Sequence, residues 1–199
     1  MASKETPSTR AQAYFDLGKL LDEIRDLLNR DLDAHGRVQG LPSNFLMSEL
    51  KVRGAELAYS PETNRFLANL QYYREALKLA PSGPAAADAS FGLLQGYFYD
   101  SFTIEPLRPT SQTGVQLAGQ IRLAEEFLGN YPRHAGCEAI SFILAIHYVQ
   151  AARAGRYAQE QAAFANKARA LAGEFVRSYP ESMRAAALPH LLESLPAGR

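Results

Sequence analysis

The stretch EEFLGNYPRHAG, residues 125–136, meets a near-echo 48 residues on in GEFVRSYPESMR, residues 173–184. Each sets a Phe four residues before a Tyr-Pro pair: Phe127, Tyr131 and Pro132 in the first, Phe175, Tyr179 and Pro180 in the second. A further copy lies upstream. PSGPAAADASFGLLQGYF, 81–98, aligns without a gap on PRHAGCEAISFILAIHYV, 132–149, so that Phe91 falls on Phe142, Leu93 on Leu144 and Tyr97 on Tyr148. From Pro180 onward Leu188 stands for Ile140 and Leu192 for Leu144, until the match breaks down at His190 and Pro196.

The repeated unit is one helix that stops at a proline, a short turn, and a second helix that opens on small residues and closes on an aromatic. A proline there cannot continue the preceding helix and fixes the turn that folds the next one back. A recurring two-helix unit is the sequence signature of a solenoid, in which each pair buries its apolar face on its neighbours. The fold class expected is therefore all-α: antiparallel helix pairs stacked as a short solenoid, about eight helices in all. Strand signals are nearly absent, with no sustained period-two alternation and no Asn-Gly or Asp-Gly turn.

Upstream of the repeats the same reading gives three helices. Over about 8–32, Leu17, Leu21, Ile24 and Leu28 recur at steps of four, three and four, which stacks them on one face. HGRVQGLPS, 35–43, is a turn-rich break, after which Ser43 is placed to cap a helix carrying Leu46, Leu50 and Leu57. Ser60 and Pro61 read as the N-cap and first position of a third helix, with Phe66, Leu70, Tyr73 and Leu77 on one stripe and an end before Pro81. Residues 1–60 are thus expected to pack on or cap the repeats, which occupy 61–199.

FLGNYPRHAGCEAISFILAIHY and FVRSYPESMRAAALPHLLESL resemble tetratricopeptide-like repeats of the bacterial envelope type, in which a similar Tyr-Pro phrase joins consecutive helices. That type includes the repeat lipoprotein of the outer-membrane barrel-assembly machine and the division coordinator associated with the Tol-Pal system. The resemblance covers about 65–195 and implies a protein-binding scaffold or assembly adaptor, without catalysis or cofactor. Pro81, Pro132 and Pro180 stand 51 and 48 residues apart, longer than the roughly 34 of the standard repeat. The excess is expected at inter-helix turns, in TIEPLRPTSQ (103–112) and AARAGRYAQEQ (151–161), with Pro106 and Pro109 holding the first as an extended loop.

Composition narrows the function classes. Twenty-one basic residues balance twenty-one acidic ones, so no global field gathers nucleic acid or an anionic membrane. The longest apolar runs, such as ISFILAI at 140–146, fall short of the roughly 20 residues of a membrane helix. One cysteine, Cys137, excludes an internal disulfide, and MASKETPSTR lacks the apolar core of a secretory signal. As it stands the sequence reads as cytoplasmic; the envelope resemblance points instead to a periplasmic protein whose leader has been removed.

Motifs that carry chemistry are scarce. His35, His134, His147 and His190 lack metal-ligand spacing, and Cys137 has no CxxC partner, so no metal is expected. His134 and Cys137, one helical turn apart, read as a polar turn residue beside a small buried thiol. The acid pairs Asp22-Glu23 and Glu125-Glu126 read as solvated helix faces. Gly92 and Gly96 lie in a helical pattern and read as sites of close helix approach, not as a phosphate loop.

GYFYDSF, 96–102, places four aromatics in seven residues and so wraps them around more than one face of a helix. Tyr97 follows the repeat into the core. Some of Phe98, Tyr99 and Phe102 must then meet a second surface: a neighbouring helix, the loop 103–111 or a ligand. In the adaptor reading Tyr99 and Phe102 anchor a protein or peptide in a groove, and Arg153 and Arg156 clamp a carboxylate or backbone carbonyl. The alternative is a small all-α ligand-binding or enzymatic domain enclosing an apolar molecule among these rings. A third is a structural subunit whose apolar surface is a homo-oligomer interface.

Overall fold

The computed structural model describes residues 6–67, 70–102, 111–154 and 158–195, with side chains over those ranges except at 97–102, 111–116 and 158. Helix dominates the described residues and strand is confined to four short segments, so the fold is all-α, with eight α-helices among the described residues. The chain divides into two compact units, 1–105 and 106–199.

The first unit opens with α1 (Pro7–Arg30), where Thr6 Oγ1 accepts from the Thr9 N–H at 3.2 Å and Pro7 takes the first helical position. Ala11, Gly18, Leu21 and Arg25 form its buried face, which packs on α3 (Gln71–Leu79); α3 packs in turn on α4 (Ala86–Phe102). The Tyr73 ring fills the centre, in a cluster with Leu70, Ala76 and Ala89. Gly18 and Gly92 border that ring. A Cβ at Gly92 would stand 2.6 Å from Tyr73 Cζ, and one at Gly96 would collide with Leu70. The glycines therefore permit close helix approach, as their spacing predicts.

Between α1 and α3 the structure departs from expectation. The break at 35–43 folds as a hairpin, β1 (Arg37–Val38) against β2 (Leu41–Pro42), with Val38 opposite Leu41. Its two turn residues, Gln39 and Gly40, both have positive φ, 50° and 81°, as a type I′ turn requires. Ser43 begins α2 (Ser43–Val52) without a side-chain cap, and Leu57 lies beyond that helix. The predicted helix start at Ser60 is a second hairpin, β3 (Ala58–Ser60) paired with β4 (Arg65–Leu67). Ser60 Oγ does accept the N–H three residues on, from Thr63, but Asn64 adopts φ 50° and turns the chain back. Phe66 is fully buried from a strand, stacked on its cross-strand partner Tyr59 at 5.3 Å. The side-chain amide of Asn29 on α1 holds both backbone groups of Phe66, at 2.7 and 2.9 Å.

The second unit contains α5 (Ser111–Asn130), α6 (Cys137–Ala154), α7 (Ala158–Ser178), a 3-10 turn (Ala185–Ala187) and α8 (Leu188–Glu193). Ten of the eighteen residues of α6 are buried, because α5 covers it on one side and α7 on another. The largest side chains of this core include Phe127, Phe175, Ile140 and Leu188.

Three turns share one hydrogen-bond pattern. After α3, Ala80 N–H bonds Ala76 O, Gly83 N–H bonds Ala80 O and Ala86 N–H bonds Gly83 O. After α5 the same three bonds join Tyr131 to Phe127, His134 to Tyr131 and Cys137 to His134; after α7 they join Tyr179 to Phe175, Ser182 to Tyr179 and Ala185 to Ser182. Burial follows the same register: Tyr73, Ala124 and Ala172 are buried one turn before Ala76, Phe127 and Phe175, and Ala89, Ile140 and Leu188 are buried after the turn. Phe91 and Phe142 are likewise equivalent, each half-buried.

From Pro132 to Pro180 the extra length of the unit lies in its helices. Residues 103–110 are outside the described residues, but 151–161 is not a loop: α6 runs to Ala154 and α7 starts at Ala158. Ala, Gln and Glu favour helix strongly there. With α6 and α7 at 18 and 21 residues, the unit from Pro132 to Pro180 outgrows the standard repeat within its helices.

Candidate interaction surface

In the second unit one surface array draws a residue from each of α5, α6 and α7. Glu125 Oε1 accepts from the Tyr148 hydroxyl at 2.5 Å and from Lys167 Nζ at 2.8 Å. Lys167 lies over the Tyr148 ring at 5.2 Å and the Phe164 ring at 6.0 Å, within cation–π range, and the two rings are 6.2 Å apart. Tyr148 itself is buried, while Glu125 and Lys167 are exposed and Phe164 is half-buried. The result is a small aromatic floor beneath an ion pair.

The electrostatics of the array are those of a satisfied network. Burial pushes the Glu125 carboxyl up, but the hydrogen bonds from Lys167 and Tyr148, with the Lys167 charge, outweigh it and hold the group below its ordinary range. Tyr148 is driven up by burial and then by the neighbouring carboxylate, so it stays a hydrogen-bond donor. Nothing in this arrangement activates a nucleophile or base.

Of the sequence-derived site residues, only Arg153 has a described side chain. Arg153 is exposed in the last turn of α6, where a cation also complements the helix dipole. Tyr99 and Phe102 belong to the final turns of α4, but their side chains, like all of Arg156, lie outside the described residues. Phe164 and Lys167 were not singled out by sequence. The signal was their i, i+3 spacing, hidden because 151–161 reads as a loop and delays the start of α7.

Other polar clusters are structural. Asp22, read from sequence as part of a solvated acid pair, is half-buried: it accepts from the Tyr73 hydroxyl at 2.6 Å and from Arg25 at 2.7 Å, tying α1 to α3. Burial raises its affinity for a proton against the opposing pull of Tyr73 and Arg25. His134 Nδ1 accepts from the Gly136 N–H and its ring meets Phe127 edge-on, while the buried Cys137 thiol donates to Tyr131 O at 3.1 Å. Burial pushes that thiol up, away from reactivity. Among the described residues no three of His, Cys, Asp and Glu converge on a metal position.

A cleft of about 420 Å³ opens between the end of α1 and the β3–β4 hairpin, lined by Asp26, Asn29, Arg30, Leu32, Asn64 and Arg65. Its amides are already engaged, Asn29 with Phe66 and Asn64 with Tyr59 and Asp33 O. It is polar and open, unlike the aromatic-lined pocket a small apolar ligand needs. No described helix is long and apolar enough to cross a membrane. No protein-family model, curated protein or solved structure was found to match the chain.

Proposed function

We propose that this protein is a non-catalytic helical-repeat scaffold, of the tetratricopeptide-like kind its Tyr-Pro phrases resemble, and that the α5–α7 surface receives a protein or peptide partner. The observation that carries the reading is the threefold recurrence of one turn, bond for bond, between consecutive helices. A turn repeated so closely builds similar helix pairs, and such arrays work by offering an extended rigid surface. Lys167 over the half-buried Phe164 and the buried Tyr148 supplies a charged point beside aromatic surface that a partner could cover. Arg153, and from the sequence Arg156, extend the candidate surface, while Tyr99 and Phe102 of the first unit are proposed from the sequence as an anchor of their own.

Affinity capture from the source organism, read by mass spectrometry, tests this with three baits: the wild type, Phe164→Ala/Lys167→Ala and Tyr99→Ala/Phe102→Ala. The expected result is one or more proteins enriched on the wild type and depleted on at least one variant whose melting temperature is nearly unchanged. Identical capture by all three stable baits, or capture no better than a blank support, overturns the proposal.

A further inference from the structure

Helix α1 carries more apolar surface than its own fold covers. Its buried face, Ala11, Gly18, Leu21 and Arg25, meets α3 and β4. Beside that face runs a second stripe: Ala13, Leu17, Leu20, Ile24 and Leu27. Leu20 and Leu27 are each 51% exposed, Leu17 is 36% exposed, Ala13 is exposed and Ile24 half-buried. The steps of four, three, four and three are the spacing of a coiled-coil seam. A face merely tolerating scattered apolar residues has no reason to keep that spacing over four turns.

We propose that this stripe is a homodimer interface, in which α1 pairs antiparallel with α1 of a second copy. The charges along its open flank support this occupant. Asp16, Glu23 and Arg30 recur every seventh residue on the solvent side of the stripe, all exposed. Antiparallel pairing about a two-fold axis sets Leu20 opposite Ile24 and Leu17 opposite Leu27 of the other copy. The same register brings Asp16 of each chain to Arg30 of the other, one opposite-charge pair at each end. Parallel pairing would set each charge level with its own copy instead. A two-fold interface must be self-complementary, and this flank is so in one orientation only. At the axis, however, Glu23 meets Glu23, which opposes association. Four large apolar side chains per copy also fall short of a standard interface of roughly 1,200–2,000 Å². The dimer is therefore reversible, with a dissociation constant in the micromolar range or weaker. This inference is independent of the scaffold reading and of the α5–α7 surface.

Sedimentation equilibrium on the full chain, from micromolar to millimolar concentration, provides the test. The wild type should show a monomer–dimer equilibrium. Leu20→Glu/Leu27→Glu should raise the dissociation constant at least about tenfold at an unchanged melting temperature, because both leucines are already half in solvent. Asp16→Arg should weaken the dimer, Asp16→Arg/Arg30→Asp should restore it, and Glu23→Gln should tighten it. The charge variants lie on the exposed flank, so they read the interface even if the leucine variant fails to fold. A protein that stays monomeric throughout, a dimer indifferent to the leucine substitutions in a folded variant, or a charge exchange that fails to restore association overturns the proposal.

Discussion

Tyr73 occupies the space that a side chain at Gly92 would need: the ring of one helix lies in the gap left by the other, with Cζ 2.6 Å from where a Cβ would stand. The ring has little freedom to withdraw, since Gly18 borders it from α1 and its hydroxyl is bonded to Asp22. In the second repeat the aligned positions hold Ala124 in the place of Tyr73 and Ile143 in the place of Gly92.

Gly92→Ala should therefore destabilise the protein, by about 1–3 kcal/mol for an overpacked core. Gly119→Ala is the control. That glycine lies within α5 with nothing within 4 Å of a built Cβ, so alanine there should stabilise by roughly 0.5–1 kcal/mol. Urea denaturation of both variants gives the sign directly.

Phe175 is 1% exposed and touches both Phe142 and Tyr179, with ring centroids at 6.0 and 5.0 Å. Phe175→Ala should cost about 3–5 kcal/mol, the range for emptying a buried aromatic site. Phe142→Ala should cost clearly less, because that ring is only half-buried. Equal losses in chemical denaturation would mean that the two rings form one indivisible cluster.

His147 is 4% exposed on α6, and burial holds its imidazole down, at about 4. An unfolded chain binds a proton near 6.5, so between those values the unfolded state takes up more protons than the folded one. Stability is then complete above pH 6.5 and declines as the pH falls toward 4. Between pH 7 and pH 5 the loss from this group should be about 2 kcal/mol. Urea midpoints at the two pH values should converge in His147→Gln relative to the wild type.

Glu125 and Lys167 form a pair in which both side chains are at least 40% exposed, 40% and 52%. A double-mutant cycle with Glu125→Gln and Lys167→Met should return a coupling of about 1 kcal/mol or less, falling as salt is added. The Glu125 titration midpoint, followed by NMR, should rise in Lys167→Met because the first of its two hydrogen-bond donors is gone. A midpoint that does not move would assign the lowering to Tyr148 alone.

The proline turns and helix ends were legible in the sequence because their information is local. A proline cannot continue a helix beyond its first turn, and Pro81, Pro132 and Pro180 each stand two residues past the end of a helix. The β3–β4 hairpin was not legible, because Ser60-Pro61 opens a turn as readily as a helix and one strand residue, Phe66, happened to continue the helical stripe. Gln39-Gly40 escaped for a related reason: the turn needs two positive φ values, and Gln rarely supplies one. Asp22 looked solvated because its partners differ in kind. Arg25 is near in sequence, but Tyr73 is 51 residues away and only the packing of α1 on α3 unites them. The α5–α7 array likewise depends on three helices meeting, which no spacing within one helix encodes.

The covering of α6 from two sides also sets a hierarchy of motion. Its amides are shielded by α5 and by α7, so both neighbours must be displaced before its central backbone meets solvent. Helix ends and the exposed turns open by small local fluctuations, whereas the middle of α6 around Leu144, Ala145 and Tyr148 is released only by wholesale opening of the second unit. In deuterium exchange these amides should form the slow core, with rates that report the global stability of that unit.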